Sequence, residues 1–407
     1  MSTPSPFGGG NPFGELFRQM SKLFTGTGPV NWEIARQVAA SQEAEGGGDG
    51  EGGANVDPLE RIRLEELIRV AELHVAEATG LEVSQTGRAL SVRAVSRTEW
   101  AWATLEAWKP LLESLGLALT PSAPSPDETA ASGTPDPLGA LGGGDLSGLI
   151  GGWAKALPPV FLGMQAGSMV GMLAQRVLGQ YDLPIPRPRS DELLVVASNL
   201  AGFASDWSLP PDDVRLWVCL SEVTHHAVTG RPHVRERLDA LLGAFVAGFR
   251  PDTAALEARM SQLDLTDMEA IAQALGDPSA ILGDMQTPEQ RATLQQLEAV
   301  TAALEGYVDQ VMDRVGHRLI SSYPSLTEAL RRRRAERGEG ERMVGRMLGM
   351  ELPQGLFDRG SAFAAGVVER AGEGGLARLW ADARALPTPA EVDAPGLWLE
   401  RIDLPAP

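Results

Sequence analysis

The sequence predicts a mainly α-helical protein with a small β component. Three observations predict it: helix-opening residues followed by proline recur along the chain, apolar residues then repeat at helical spacing, and only two short runs look like strands. With 43% hydrophobic residues among 407, the chain carries enough apolar side chain for a sizeable core.

Residues 1–55 are rich in Gly, Pro and Ser, and the run from Glu43 to Gly53 cannot bury enough apolar surface to order itself, so it reads as a flexible linker. Before it, Asn31 can cap a short helix with Trp32, Ile34 and Val38 near one face, which is expected to dock onto the body. From Asp57 a cap, a proline at the first helical position and Leu59, Ile62, Leu64, Leu67, Val70 and Leu73 at helical spacing predict a helix ended by Gly80. The stretch from Leu81 to Trp100 alternates enough for a short strand or a hairpin, and a helix follows to Leu119. Residues 56–120 are therefore expected to form one helical unit, 121–145 a second low-complexity linker, and 146–407 the main domain.

Leu157 to Ala174 lacks charge and carries Gly163, Gly167 and Gly171 at four-residue spacing. Two prolines at its start and Gln165 inside favour a buried helix, closely approached by a neighbouring backbone, over a membrane span. Leu193 to Val196 reads as a short strand. Pro210, Pro211 and Asp212 then open a helix that ends at Gly230 and Pro232. Further helices are expected from His233 to Phe249, in the acidic amphipathic stretch from Thr253 to Leu275, and from Pro288 to Val315. A charged segment at 331–342 precedes helices at Met343 to Leu348 and Gly360 to Ala371, with a last one near Leu376 to Trp380.

Charge excludes one class of partner. With 54 acidic and 35 basic residues the net charge is −19, which repels nucleic acid at long range. The single cysteine, Cys219, rules out an intramolecular disulfide framework and suits a reducing compartment. As the N-terminus shows no basic region followed by an apolar run, a cytoplasmic protein without a membrane span is expected. Its oligomeric state is not legible.

The chemistry concentrates in Ser221, Glu222, Val223, Thr224 and His225. Residues four apart share one helix face, which is how the two histidines of HExxH hold one zinc ion while the glutamate serves as base. Here Glu222 and His225 fill the base and second-histidine positions, and Ser221 stands at the first, where a neutral hydroxyl is a poor zinc ligand. A later helix offers Glu305 and Asp309 one turn apart, Asp309 as a ligand or as an outer partner that orients one. Without a resemblance to draw on, the residues favour the plainer alternatives, His225 as a surface histidine paired with Glu222, and Glu305 and Asp309 as a solvated acidic face. His226 is rotated by about 100° from His225 and does not reproduce the motif. Nor does His233, while His74 and His317 read as surface or capping histidines.

Taken together, NPFGELF, GPVNWEIARQ, VLGQYDLP at 177–184, LPPDDVRLWVCLSEVTHHAV at 209–228, LEGYVDQVMD at 304–313 and GLFDRGSAFAAGVV at 355–368 resemble a family of actinobacterial zincin-like hydrolases. These are also labelled zinc-dependent metalloproteases, and their relatives include a branch associated with deazaflavin-coenzyme biosynthesis. The resemblance implies a zincin-like metallopeptidase fold, zinc as cofactor, Glu222 as general base, His225 as the second metal histidine and Glu305 as third ligand. Ser221 departs from the pattern. Two functions follow as expectations: a metallohydrolase, or a catalytically inactive zincin-like scaffold that binds a peptide or protein partner.

Overall fold

The computed structural model describes residues 28–45, 56–119, 144–249 and 287–404. The acidic stretch from Thr253 to Leu275 and the linker expected at 121–145 fall outside these, apart from the last two linker positions.

Local capping chemistry sets where the helices begin. Helix α1 (Trp32–Glu45) starts after Asn31, whose side chain accepts the Ile34 N–H. Helix α2 (Pro58–Thr79) starts at Asp57, whose carboxylate accepts the Leu59 N–H, and ends at Gly80 in the left-handed conformation. Strand β1 (Ser91–Val95) passes directly into α3 (Arg97–Ala107) through a capping box between Ser96 and Glu99, and α4 (Lys109–Leu119) follows. This tight strand-to-helix junction leaves no hairpin. The partner of β1 is instead strand β2 (Glu192–Val196), parallel to it and in register from Ser91 opposite Glu192 to Val95 opposite Val196.

Helix α5 (Gly144–Ala174) leads to β2, after which come α6 (Ala197–Asp206), α7 (Pro211–Thr229) and α8 (Pro232–Ala247). Helix α9 (Pro288–Leu319), opened by a capping box of Thr287 and Gln290, is followed by α10 (Tyr323–Ala335), α11 (Glu339–Leu348) and α12 (Gln354–Ala377). The described residues are thus mainly helical with one two-stranded sheet, as the sequence predicts.

Glycine sets the closest helix contacts. A side chain at Gly163 or Gly167 would overlap the carbonyl oxygen of Asn31 or Ala35, and Gly171 faces Ala39 and Gln42. The glycine-rich helix is therefore buried against α1, and no helix among the described residues is long and apolar enough to cross a membrane. Gly306 of α9 and Gly360 of α12 meet still more closely, backbone on backbone.

The apolar residues of α2 divide between two faces: Leu64, Ile68, Ala71 and Val75 are buried, whereas Leu59, Ile62, Val70 and Leu73 are exposed on the opposite side. One expectation needs correction. The region of Leu376 to Trp380 is not the last helix. It holds the end of α12 and one 3-10 turn, and the chain continues through a second such turn (Ala383–Ala385) to α13 (Pro389–Asp393) and α14 (Pro395–Asp403). Both helices are too short for periodicity to reveal. Burial of Trp398, whose indole N–H donates to the Ala385 carbonyl at 2.6 Å, holds this end in place.

Candidate active site

Helix α7 is enclosed from Trp217 to Thr229, so its hydroxyl, carboxyl and imidazole groups depend on partners inside the protein. Thr224 and Thr229 donate to helix carbonyls one turn back, at 2.7 and 2.8 Å. The carboxylate of Glu222 accepts the backbone N–H groups of Gln180 and Tyr181, at 3.0 and 3.1 Å. Gly179 makes this approach feasible, since any side chain there would occupy the place of the Glu222 carboxylate. The 178–182 turn is held from its other side by Asp182, which accepts the N–H groups of Leu178 and Gly179.

His225 is buried, not a surface residue paired with Glu222. Its Nδ1 lies 2.8 Å from the Ser221 carbonyl, and its Nε2 lies 3.3 Å from Glu305 Oε1 across to α9. Glu305 is buried too, so the solvated-acidic-face alternative is excluded for it. Ser221, Glu222, His225 and Glu305 line one cavity of about 100 Å³, with Trp217, Tyr181 and Phe357 in its walls. Asp309 does not line that cavity. It lies 3.5 Å from the Arg334 guanidinium and accepts the Ser361 hydroxyl at 3.3 Å.

The electrostatics follow from burial. Removal from water, with the charge of Asp182 nearby, pushes Glu222 up to about 8, and His225 and the two amide bonds offset only part of that rise. Burial alone would lower His225, but the charge and hydrogen bond of Glu305, with the charge of Glu222 and the Ser221 carbonyl, carry it above the ordinary histidine value. Asp309 is raised by burial, which Arg334 partly offsets.

Does this donor set fit zinc? Two ligands of a tetrahedral zinc ion stand about 3.3 Å apart, and His225 Nε2 and Glu305 Oε1 have that separation. A backbone carbonyl holding the other ring nitrogen is the outer contact a metal histidine requires. The third donor is missing. Ser221 Oγ lies 3.4 Å from Nδ1, and among the described residues no three His, Cys, Asp or Glu side chains group around one point. Two protein donors fit, and the Ser221 hydroxyl does not supply a third.

Sequence reasoning missed a second set of residues behind this site. His226, set aside because of its rotation from His225, is buried and faces Tyr181, Gln85 and Asp191. Its Nδ1 is 2.9 Å from the Tyr181 hydroxyl and its Nε2 is 3.5 Å from Asp191 Oδ1. Burial holds His226 below the usual histidine value despite Asp191, so the neutral imidazole accepts from Tyr181 and points its N–H toward the carboxylate. The Tyr181 ring in turn stacks on His225, at 6.0 Å between centroids. Two adjacent histidines in an enclosed helix were the only sequence signal. The arginines of the 331–342 segment, read only as charge, bring Arg333, Arg334 and Arg337 to the cavity wall.

Asp191 also anchors the turn before β1. It accepts the N–H groups of Gln85, Thr86 and Arg88 and the hydroxyls of Ser84 and Thr86. Against the opposing cost of burial, these bonds hold its carboxyl well below the usual carboxylate range. Asp191→Ala is expected to cost about 2–4 kcal/mol, because several donors lose a charged acceptor at once. The folded state holds this proton more weakly than the unfolded chain, so the contribution is full above about pH 5 and fades as the pH falls below about 4. Urea denaturation should therefore show the gap between wild type and variant shrinking with acid. Glu222 gives a parallel expectation at neutral pH: Glu222→Ala, which strips two buried amides of their acceptor, should cost about 2–4 kcal/mol, and Glu222→Gln, which keeps an acceptor, less than about 1 kcal/mol. Chemical denaturation of the pair checks it.

Comparison with known proteins places this arrangement. No curated protein matches the sequence. A crystal structure from Chloroflexus aurantiacus, described as a candidate hydrolase with a novel fold, superposes with a TM-score of 0.61 at 24% identity, over 93% of this chain and 100% of that one. The profile described as Zincin-like metallopeptidase matches residues 30–399. Because that match spans almost the whole chain, including α7, α9 and the cavity between them, the protein belongs to the zincin-like metallopeptidase family.

Proposed function

We propose that this chain is a zincin-like hydrolase acting on a peptide, or on another amide or ester, in the cavity between α7 and α9. The observation that supports the reading is the meeting of His225 and Glu305, 80 residues apart in sequence, at 3.3 Å beside Glu222. His225 and Glu305 are the residues that would hold zinc, which when bound would polarise the scissile carbonyl. Glu222 is the proton carrier. Its elevated value of about 8 lets it give up and regain a proton near neutral pH, and its two amide bonds fix it in place. The walls of Trp217, Tyr181 and Phe357 would exclude water from a bound substrate. The buried, solitary Cys219 is consistent with a reducing, cytoplasmic setting.

One observation favours a second reading. Ser221 removes an imidazole, and two protein ligands hold catalytic zinc weakly, so the same helices would serve as a non-catalytic scaffold for a peptide or protein partner. Metal content separates the two. Wild type, His225→Ala and Glu305→Gln are equilibrated with micromolar zinc, desalted and measured by elemental analysis. The hydrolase reading expects zinc in the wild type and its loss in both variants. Zinc-free protein in all three sinks that reading and leaves the scaffold.

A further inference from the structure

Helix α2 buries one face, Leu64, Ile68, Ala71 and Val75, against α7, β1 and α9. The face turned to solvent also carries apolar side chains, Leu59 64% exposed, Ile62 52%, Val70 39% and Leu73 66%, interleaved with the exposed charges of Arg63, Glu66, Arg69 and Glu77. Among the described residues the other large exposed apolar side chains, Trp102, Leu117, Leu397 and Leu404, are scattered elsewhere along the chain. An amphipathic helix with a single partner presents charge on its outer face, so a second apolar stripe calls for an occupant.

The order of residues in that stripe identifies the occupant. Leu59 and Leu73 lie seven residues on either side of Glu66, and Ile62 and Val70 lie four on either side. At about 100° per residue all four project within about 40° of Glu66, so from residue 59 to residue 73 this face reads the same in both directions. Arg63 and Arg69, three residues on either side of Glu66, are exposed and continue the symmetry. A palindromic face is complementary to an antiparallel copy of itself, which is the requirement of a twofold interface.

We propose that two copies of this chain pair through the outer face of α2, antiparallel, about a twofold axis at Glu66. Leu59 of one copy then meets Leu73 of the other, and Ile62 meets Val70. The two Glu66 carboxylates, which would repel each other alone, sit among the Arg63 and Arg69 guanidinium groups of both copies. Each copy contributes an apolar patch of roughly 400 Å², within the range typical of functional patches. The pairing buries on the order of 1,000 Å², at the low end for specific interfaces, the size class of weak and reversible association. This inference is independent of what the cavity binds.

Sedimentation velocity of the full chain over roughly 1 to 100 μM is expected to show monomer passing to dimer, and Ile62→Glu with Val70→Glu to stay monomeric with unchanged circular dichroism. Cross-linking reports the geometry. Cys219 is buried and is the only native thiol, so in Glu66→Cys the new thiol on the axis faces its own copy and mild oxidation should give a covalent dimer. Leu59→Cys or Leu73→Cys alone should not cross-link, and a mixture of the two should. A monomer at every concentration, as when another part of the chain or a different protein covers the stripe, overturns the proposal. So does a dimer that survives the double glutamate variant, or a cross-link that forms through Leu73→Cys alone as readily as through Glu66→Cys.

Discussion

Gly306→Ala is expected to cost about 3 kcal/mol or more, and Gly306→Leu to leave little folded protein. The added methyl group would occupy the carbonyl of Gly360, and Gly360 itself abuts the Ala302 carbonyl, so α9 and α12 can admit a side chain only by moving apart. That crossing also positions the catalytic candidates, because Glu305 precedes Gly306 directly and meets His225 from α9. Separation of the helices would open the core around Phe363 and Val367. Thermal melting of Gly306→Ala, compared with Gly243→Ala in α8, where nothing stands within 4 Å of an added Cβ, isolates the effect of the crossing from that of losing a glycine. Equal melting temperatures for the two variants would contradict the close packing described above.

The second large effect concerns position 221. Ser221→His places an imidazole one turn before His225, on the wall of the cavity that His225 and Glu305 already share. Completing three protein donors should tighten zinc binding by about 100-fold or more, read by competition against a chromophoric chelator. If affinity does not change, the three positions do not share a metal point. The same variant bears on the scaffold reading. Should the wild type already hydrolyse a peptide library and Ser221→His be no faster, a non-catalytic role is untenable.

Helix starts were legible because capping is local: Asn31 before α1 and Asp57 with Pro58 at α2 act within one turn, and the chain shows both parties. The glycines at 163, 167 and 171 were legible as a contact surface from their spacing, although not that α1 would fill it. On α2 the same periodic logic could not tell which apolar residues face inward, since the helix carries apolar residues on opposite faces and only the position of α7 selects Leu64 and Ile68. The parallel pairing of β1 with β2 joins segments about a hundred residues apart, which a hairpin signal cannot encode.

For the site itself, the sequence by itself determined which side chains share a helix face: Ser221 and His225 one turn apart, with Glu222 beside them, and a later acidic helix. The structure alone decided how they are used. It paired His225 with Glu305 and sent Asp309 to Arg334. It bound Glu222 to the amides at 180 and 181 and joined His226 to Tyr181 and Asp191. The reason is the burial of α7 from Trp217 to Thr229: once water is excluded, the charged and imidazole groups there are matched by whichever segments fold against them, residues 35 or more positions away in sequence.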